Sequence, residues 1–308
     1  MKRLILTTSD SGAGCLKVAG IADKVIGIGY RFATGPLLSE AKLAESFASF
    51  ASFGLTDIGD RFDAIDLWID PDPNAQLILV WLLQCFRPHG AVVSKLSLVQ
   101  ADISIGELMP ERLLARQFPA IRIASPQLEL ASAVWQGWRQ QTPQDWFDLL
   151  SNELGALPLF RPAAVALLEE LPGRTTGLGA TEMRMLELIS EGIVNPFDVF
   201  PGHEKRNTRR VFGYWETGAL LEKMARGPAA AVAGLKEGPF TLEMHDDRGR
   251  HERYKQSKLS LTSLGRDILA GRDDFSRHNP VHRWWGGTEL TNDRLWRWDA
   301  AKQALIAP

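Results

Sequence analysis

The sequence predicts an α/β N-terminal domain, a short and mainly parallel sheet with helices, followed by a helical region and a winged-helix-like C-terminal domain. Three observations predict it. Over about the first hundred residues, β-rich runs alternate with amphipathic runs, the pattern of parallel strands joined by helical crossovers. From Pro110 onward strand signals fade and proline-initiated helices dominate. Beyond LPGRTTGLG, a glycine and proline break, three helical segments precede a hairpin-like stretch.

Taken in order, strands are expected at residues 3–8 (RLILTT), 24–28 (KVIGI), 64–69 (AIDLWI) and 91–98 (AVVSKLSL). Between them, residues 38–53 place Leu43, Phe47, Phe50 and Ala51 at spacings of three and four, which gives one apolar helical face. Residues 74–86 (NAQLILVWLLQCF) form a more apolar helix suited to burial against a sheet. Helices then follow at 111–117, 126–140, 143–153 and 162–171. Past the break come helices at 181–191, around 196–200 and at 210–226. A hairpin follows within 240–262 with DDRG as its turn, and then a helix from SLGRDILAG. The tail holds Trp284, Trp285, Trp296 and Trp298 and reads as a terminal hairpin with NDR between two extended runs. The resulting domains are 1–109 (α/β), 110–173 (helical, packed on or continuing the first), 174–275 (winged helix-turn-helix-like) and 276–308 (tail).

Composition narrows the function classes. The chain is 45% hydrophobic and 23% charged, which is globular rather than disordered. No run approaches the roughly 18 apolar residues of a membrane span, so membrane attachment is not expected. The basic start is followed by too short an apolar run for a signal-peptide core, and a cytoplasmic protein is expected. Cys15 and Cys85 form neither a CxxC pair nor a disulfide framework and read as reduced thiols. A net charge of −2 offers no broad cationic field for nucleic acid.

The strongest local signal is the loop after the first strand, Ser9-Asp10-Ser11-Gly12-Ala13-Gly14, with Lys17 one turn later. Small residues at a helix start leave backbone N–H groups available to an anion. The same residues also serve a tight strand-to-helix turn, and the loop is neither GxxxxGK[ST] nor a full GxGxxG. At the carboxyl edge of the third strand stand Asp70 and Asp72, with Gln76 in the next helix. They read as ligand groups for a metal or sugar hydroxyl, or as a turn and a helix cap. Arg31 and Thr34 flank Gly35-Pro36 on a third loop expected at that edge.

The densest basic run, residues 203–210, supplies Lys205, Arg206, Arg209 and Arg210 as nucleic-acid contacts. Residues 174–274 nevertheless carry 16 Lys and Arg against 15 Asp and Glu, a weak footprint for a DNA binder. The four tail tryptophans read as packing onto a core or as a homodimer interface, with base stacking the third use. His278 and His282 have half a zinc spacing without the other half, so no metal site is expected. No GxSxG, HExxH or kinase signature occurs, and no cofactor or catalytic residue can be named.

Taken together, DSGAGCLK, the GPL after the second strand, WIDPDPNAQL, LPLF with LEELPG, GLGATEMRMLELI, LTSLGRDILAG and RWWGGTEL with LWRW resemble the bacterial family catalogued as domain of unknown function 1835. The resemblance spans nearly the whole chain and implies cytosolic proteins of this domain order, without a shared activity. Ser9-Asp10 stands where that family usually has Gly-Asp, and Arg31 near where an acidic residue is common. Three functions follow as expectations. The first is a regulatory protein whose α/β domain takes a small anionic, nucleotide-like ligand and whose C-terminal domain contacts a partner or DNA. The second is an enzyme acting on a phosphorylated or nucleotide substrate with sheet-edge carboxylates. The third is an interaction protein that dimerises through the tryptophan-rich tail.

Overall fold

A computed structural model of the chain describes residues 1–116, 118–200 and 210–308. These fall into two compact units: Met1–Val165 with Gly286–Thr288, and Ala166–Trp285 with Glu289–Pro308.

The first unit is built on a five-stranded sheet of β1 (Arg3–Thr7), β2 (Lys24–Gly27), β3 (Ala64–Ile69), β4 (Leu96–Gln100) and β5 (Ala120–Arg122). Their order is β2-β1-β3-β4-β5, with the first four parallel and β5 antiparallel to β4. Leu4, Ile5 and Leu6 are each no more than 1% exposed, as expected of a strand covered on both faces. On one face Ile5 and Val25 share a cluster with Ala13 and Leu16 of helix Asp10–Ala19. Helix Pro73–Phe86 is buried along almost its whole length, as its apolar sequence predicts, and packs on helix Ser125–Trp138.

Two departures from the sequence reading concern this sheet. The run 91–98 does not begin as a strand, because Val92 and Val93 donate to the His89 carbonyl and close a single helical turn over Gly90–Val93. Strand β4 starts only at Leu96. Strand β5 was not expected at all; three residues are too few to carry a recognisable alternation.

The second unit contains helices Ala180–Ser190 and Tyr214–Arg226 around a core that includes Met185, Leu188, Leu221, Met224, Met244 and Tyr254. The hairpin expected within 240–262 is absent; that stretch forms helices Leu242–Asp246 and Arg248–Lys255. The reason lies in the caps. Thr241 Oγ1 accepts from Met244 N at 3.3 Å, and Asp247 Oδ1 accepts from Gly249 N at 2.9 Å and Arg250 N at 3.0 Å. Asp247 thus starts a helix where a turn was expected. The antiparallel pair here is instead β6 (Val232–Ala233) with β7 (Ser260–Leu261), on either side of those helices. The tail forms two hairpins, β8 (His282–Trp285) with β9 (Thr288–Thr291) and β10 (Arg297–Asp299) with β11 (Ala304–Ile306), so Asn292–Arg294 links two hairpins and is not the turn of one. No helix among the described residues is long and apolar enough to cross a membrane.

Candidate functional site

In the order β2-β1-β3 the connections leaving β1 and β3 depart in opposite directions, which makes the carboxyl ends of these two strands the switch point where open α/β sheets place ligands. The loops there are tied by Asp70. Its Oδ1 accepts from Ile105 N at 2.7 Å, and its Oδ2 accepts from Ser9 Oγ at 3.2 Å and Thr8 Oγ1 at 3.3 Å. Asp70 is 3% exposed. Burial raises its carboxyl above the usual range, and the hydrogen bonds from Ile105, Ser9 and Thr8 oppose that rise.

The loop itself is closely filled. Ser9 caps the helix it precedes, accepting from Gly12 N at 3.1 Å. A Cβ at Gly12 would stand 2.8 Å from Ser9 Oγ, and one at Gly106 would collide with Ser11 Oγ. Gly12 is therefore kept small by its own cap residue, and Gly106 by the approach of Ser11. Asp72 caps helix Pro73–Phe86, accepting from Ala75 N at 3.0 Å. Burial raises its carboxyl too, Asp70 adds to the rise, and Arg31 opposes it. Gln76 donates to the Asp70 carbonyl at 2.9 Å and accepts from Gln100 at 3.1 Å. Asn74, which the sequence offers beside Asp72 as a helix cap, instead holds the loop after β2 by accepting from Phe32 N and Ala33 N and donating to the Tyr30 carbonyl.

Open space lies next to this knot, beside β2 at the sheet's edge. A cleft of about 590 Å³ is lined by Asp10, Gly14 and Lys17 on one helix, by β2 from Lys24 to Gly27, and by Tyr30 and Phe50. Lys17 and Lys24 outnumber Asp10, so the lining is net cationic. The Tyr30 and Phe50 rings meet edge-on with centroids 6.0 Å apart, and Phe50 is 44% exposed. Tyr30 is fixed by donating from its hydroxyl to the Leu43 carbonyl at 2.9 Å. A Cβ at Gly14 or Gly29 would meet nothing within 4 Å, so both glycines widen the cleft.

Of the expected site residues, Ser9 and Asp70 meet at the knot, while Asp10, Gly14 and Lys17 line the cleft. Arg31 is exposed and Thr34 half-buried on the loop after β2. Lys205, Arg206 and Arg209 lie outside the described residues, and Arg210 is exposed. Trp285 and Trp298 are buried and Trp284 and Trp296 half-buried. Trp285 donates to the Leu167 carbonyl at 2.7 Å. His278 pairs with Asp273 at 2.9 Å and His282 with Glu289 at 3.0 Å. Among the described residues no three of His, Cys, Asp and Glu are grouped to hold a metal ion.

A second cleft, of about 950 Å³, lies in the C-terminal unit around Gly173–Thr176 and Trp298–Ala301. Sequence reading treated LPGRTTGLG only as a boundary; its glycine and threonine content was the one signal on offer. No protein-family model matches the chain, and no curated protein does.

Proposed function

We propose that this protein is a ligand-binding regulatory protein whose first unit takes a small anionic, nucleotide-like ligand in the cleft beside β2, and whose second unit makes contact with a macromolecular partner. The observation that carries the reading is the composition of the cleft: two lysine ammonium groups for phosphate oxygens, and two aromatic rings for a base. Asp70 spends its oxygens on the loops it joins, which supports binding over carboxylate catalysis. Thermal shift and calorimetry with AMP, ADP, ribose 5-phosphate and orthophosphate test it. A nucleotide at tenfold excess over its Kd stabilises by about 1.4 kcal/mol. Lys17→Ala with Lys24→Ala is expected to weaken all the phosphates. Phe50→Ala is expected to weaken AMP and ADP but not ribose 5-phosphate. No shift at millimolar ligand, or a shift unchanged in the double variant, refutes the assignment.

For the second unit, helix Tyr214–Arg226, β6, the two short helices meeting at Asp247 and then β7 follow the order of a winged helix as far as its second strand, with helix Ser263–Leu269 where the expected wing would continue. Arg250 and Arg253 of the second short helix both pair with Glu237, at 3.2 and 2.9 Å. Their charge is partly spent inside the unit, which favours a protein partner over DNA. Trp285 and Trp298 are buried in their own unit, which supports tail packing over a dimer interface.

A further inference from the structure

The larger cleft is a preformed cavity with a different chemistry. One wall is the loop Gly173–Leu178, closed on itself by Gly173 N donating to the Leu178 carbonyl at 2.9 Å and Gly177 N to the Gly173 carbonyl at 3.1 Å. Gly177 sits at φ +68, and a Cβ there would collide with Asp274 Oδ1, so the loop takes this path only with glycine. The other wall is β10. It is joined to the loop by Trp298 N donating to the Pro172 carbonyl at 2.9 Å and Arg174 N to the Trp298 carbonyl at 3.0 Å. Arg297 braces both, reaching the Gly173 carbonyl at 2.9 Å and Asp274 at 2.8 Å.

The apolar surface open to the cleft comes from half-buried Met183 and Ala180 and exposed Ala300 and Ala301, with Leu171, Leu178 and Trp298 behind them no more than 3% exposed. At its rim Arg174 is 55% exposed and is oriented by one bond, from Nη1 to Asp299 Oδ2 at 2.8 Å. A guanidinium has five N–H donors in a planar fork, so this anchor leaves donors to meet a carboxylate. The charged lining is Arg174 and Arg184 against Glu169, Glu187 and Asp299, net negative by one. That balance repels a phosphate dianion, unlike the lysine-lined cleft beside β2, and suits a ligand carrying both charges. A volume of about 950 Å³ is ample for such a molecule.

We infer that this cleft is a second ligand site, for a zwitterion with an apolar body such as an apolar or aromatic α-amino acid, with Arg174 taking its carboxylate and Met183 and the alanines beside it its side chain. The site lies wholly in the second unit and does not depend on the nucleotide reading of the first.

Isothermal titration of the full chain with L-phenylalanine and L-leucine tests it. Saturable binding with Kd of about a millimolar or tighter is expected. Phenylalaninamide, without the carboxylate, and 3-phenylpropionate, without the ammonium, are each expected to bind at least several-fold more weakly. Arg174→Gln is expected to weaken L-phenylalanine about tenfold, with Arg174→Lys intermediate. Thr175 is exposed on the same loop, and Thr175→Glu is expected to give a similar loss by adding a carboxylate at the rim without touching the Arg174–Asp299 pair. This second variant decides the matter if Arg174→Gln fails to fold. Absence of saturable heat with either amino acid at about 10 mM, a range far above useful affinity, overturns the proposal. So does equal binding of phenylalaninamide or 3-phenylpropionate, or binding unchanged in a folded Arg174→Gln or in Thr175→Glu.

Discussion

Replacing Asp70 separates a structural tie from a chemical group. In Asp70→Ala the Ile105 N–H loses its 2.7 Å acceptor in a buried place, and the Thr8 and Ser9 hydroxyls lose theirs. An orphaned buried donor costs about 1–3 kcal/mol, and the vacated volume and weakened hydroxyl bonds bring the expected loss to about 3–4 kcal/mol. Asp70→Asn keeps an oxygen for Ile105 N and presents an amide that the two hydroxyls can accept from, so its expected change is within about 1 kcal/mol. Urea unfolding of the full chain measures both, and hydrogen exchange at the Ile105 amide localises the effect. Because burial raises Asp70, the native state keeps its proton to higher pH than the unfolded chain does. Wild type should therefore lose stability relative to Asp70→Asn as pH rises through the interval just above 3.8, and regain it in acid. If Asp70→Asn proves as damaging as Asp70→Ala, the charge itself is needed and the tie explanation fails.

Three further outcomes are expected. Arg283→Met removes the 2.9 Å partner of Glu182, which is 1% exposed, and should cost about 3–5 kcal/mol in urea unfolding, with Glu182→Gln in the same chain restoring part of it. The Cys85 thiol is pushed up to about 12 by burial, so Ellman's reagent at pH 8 should label it in the native chain far more slowly than in the urea-unfolded chain; equal rates would contradict that environment. Asp299 is held below its usual range, chiefly by the hydrogen bond from Arg174. The stability it contributes is present above pH 3.8 and lost as pH falls, so the gap between wild type and Arg174→Gln should close in acid.

The parts of the fold that could be read from the sequence were those with a local cause. β1 and β3 are runs of apolar residues long enough to be unmistakable, and helix Pro73–Phe86 carries both its cap at Asp72 and its apolar length in one stretch. Misreadings arose where one residue has two uses. Asp247 is a good turn residue and a good cap, and the neighbours that settle the choice, Gly249 N and Arg250 N, matter only once the helix exists. The loop after β1 was legible as a place, but the packing of its Ser11 on Gly106, far along the chain, has no local signal. Lys17 is legible as a site residue while Lys24 and Tyr30 are not, and Phe50 reads only as part of an apolar helix face, because their convergence on one cleft depends on β2 being the outer strand. The larger cleft joins the segment after Glu169 to the tail near Trp298, and no local pattern could have linked them.

The first unit is completed by three residues from more than a hundred positions further along the chain, Gly286–Thr288. Gly287 N donates to the Trp138 carbonyl at 2.9 Å, and Thr288 donates to the Gln140 carbonyl across a separation of 148 residues. At a synthesis rate of about 5–20 residues per second, those carbonyls wait roughly 7–30 s for their partners. The N-terminal domain can begin to form on the ribosome, but it acquires these hydrogen bonds only after Thr288 has been made. A fragment ending at Val165 is therefore a nascent-chain intermediate rather than a finished domain.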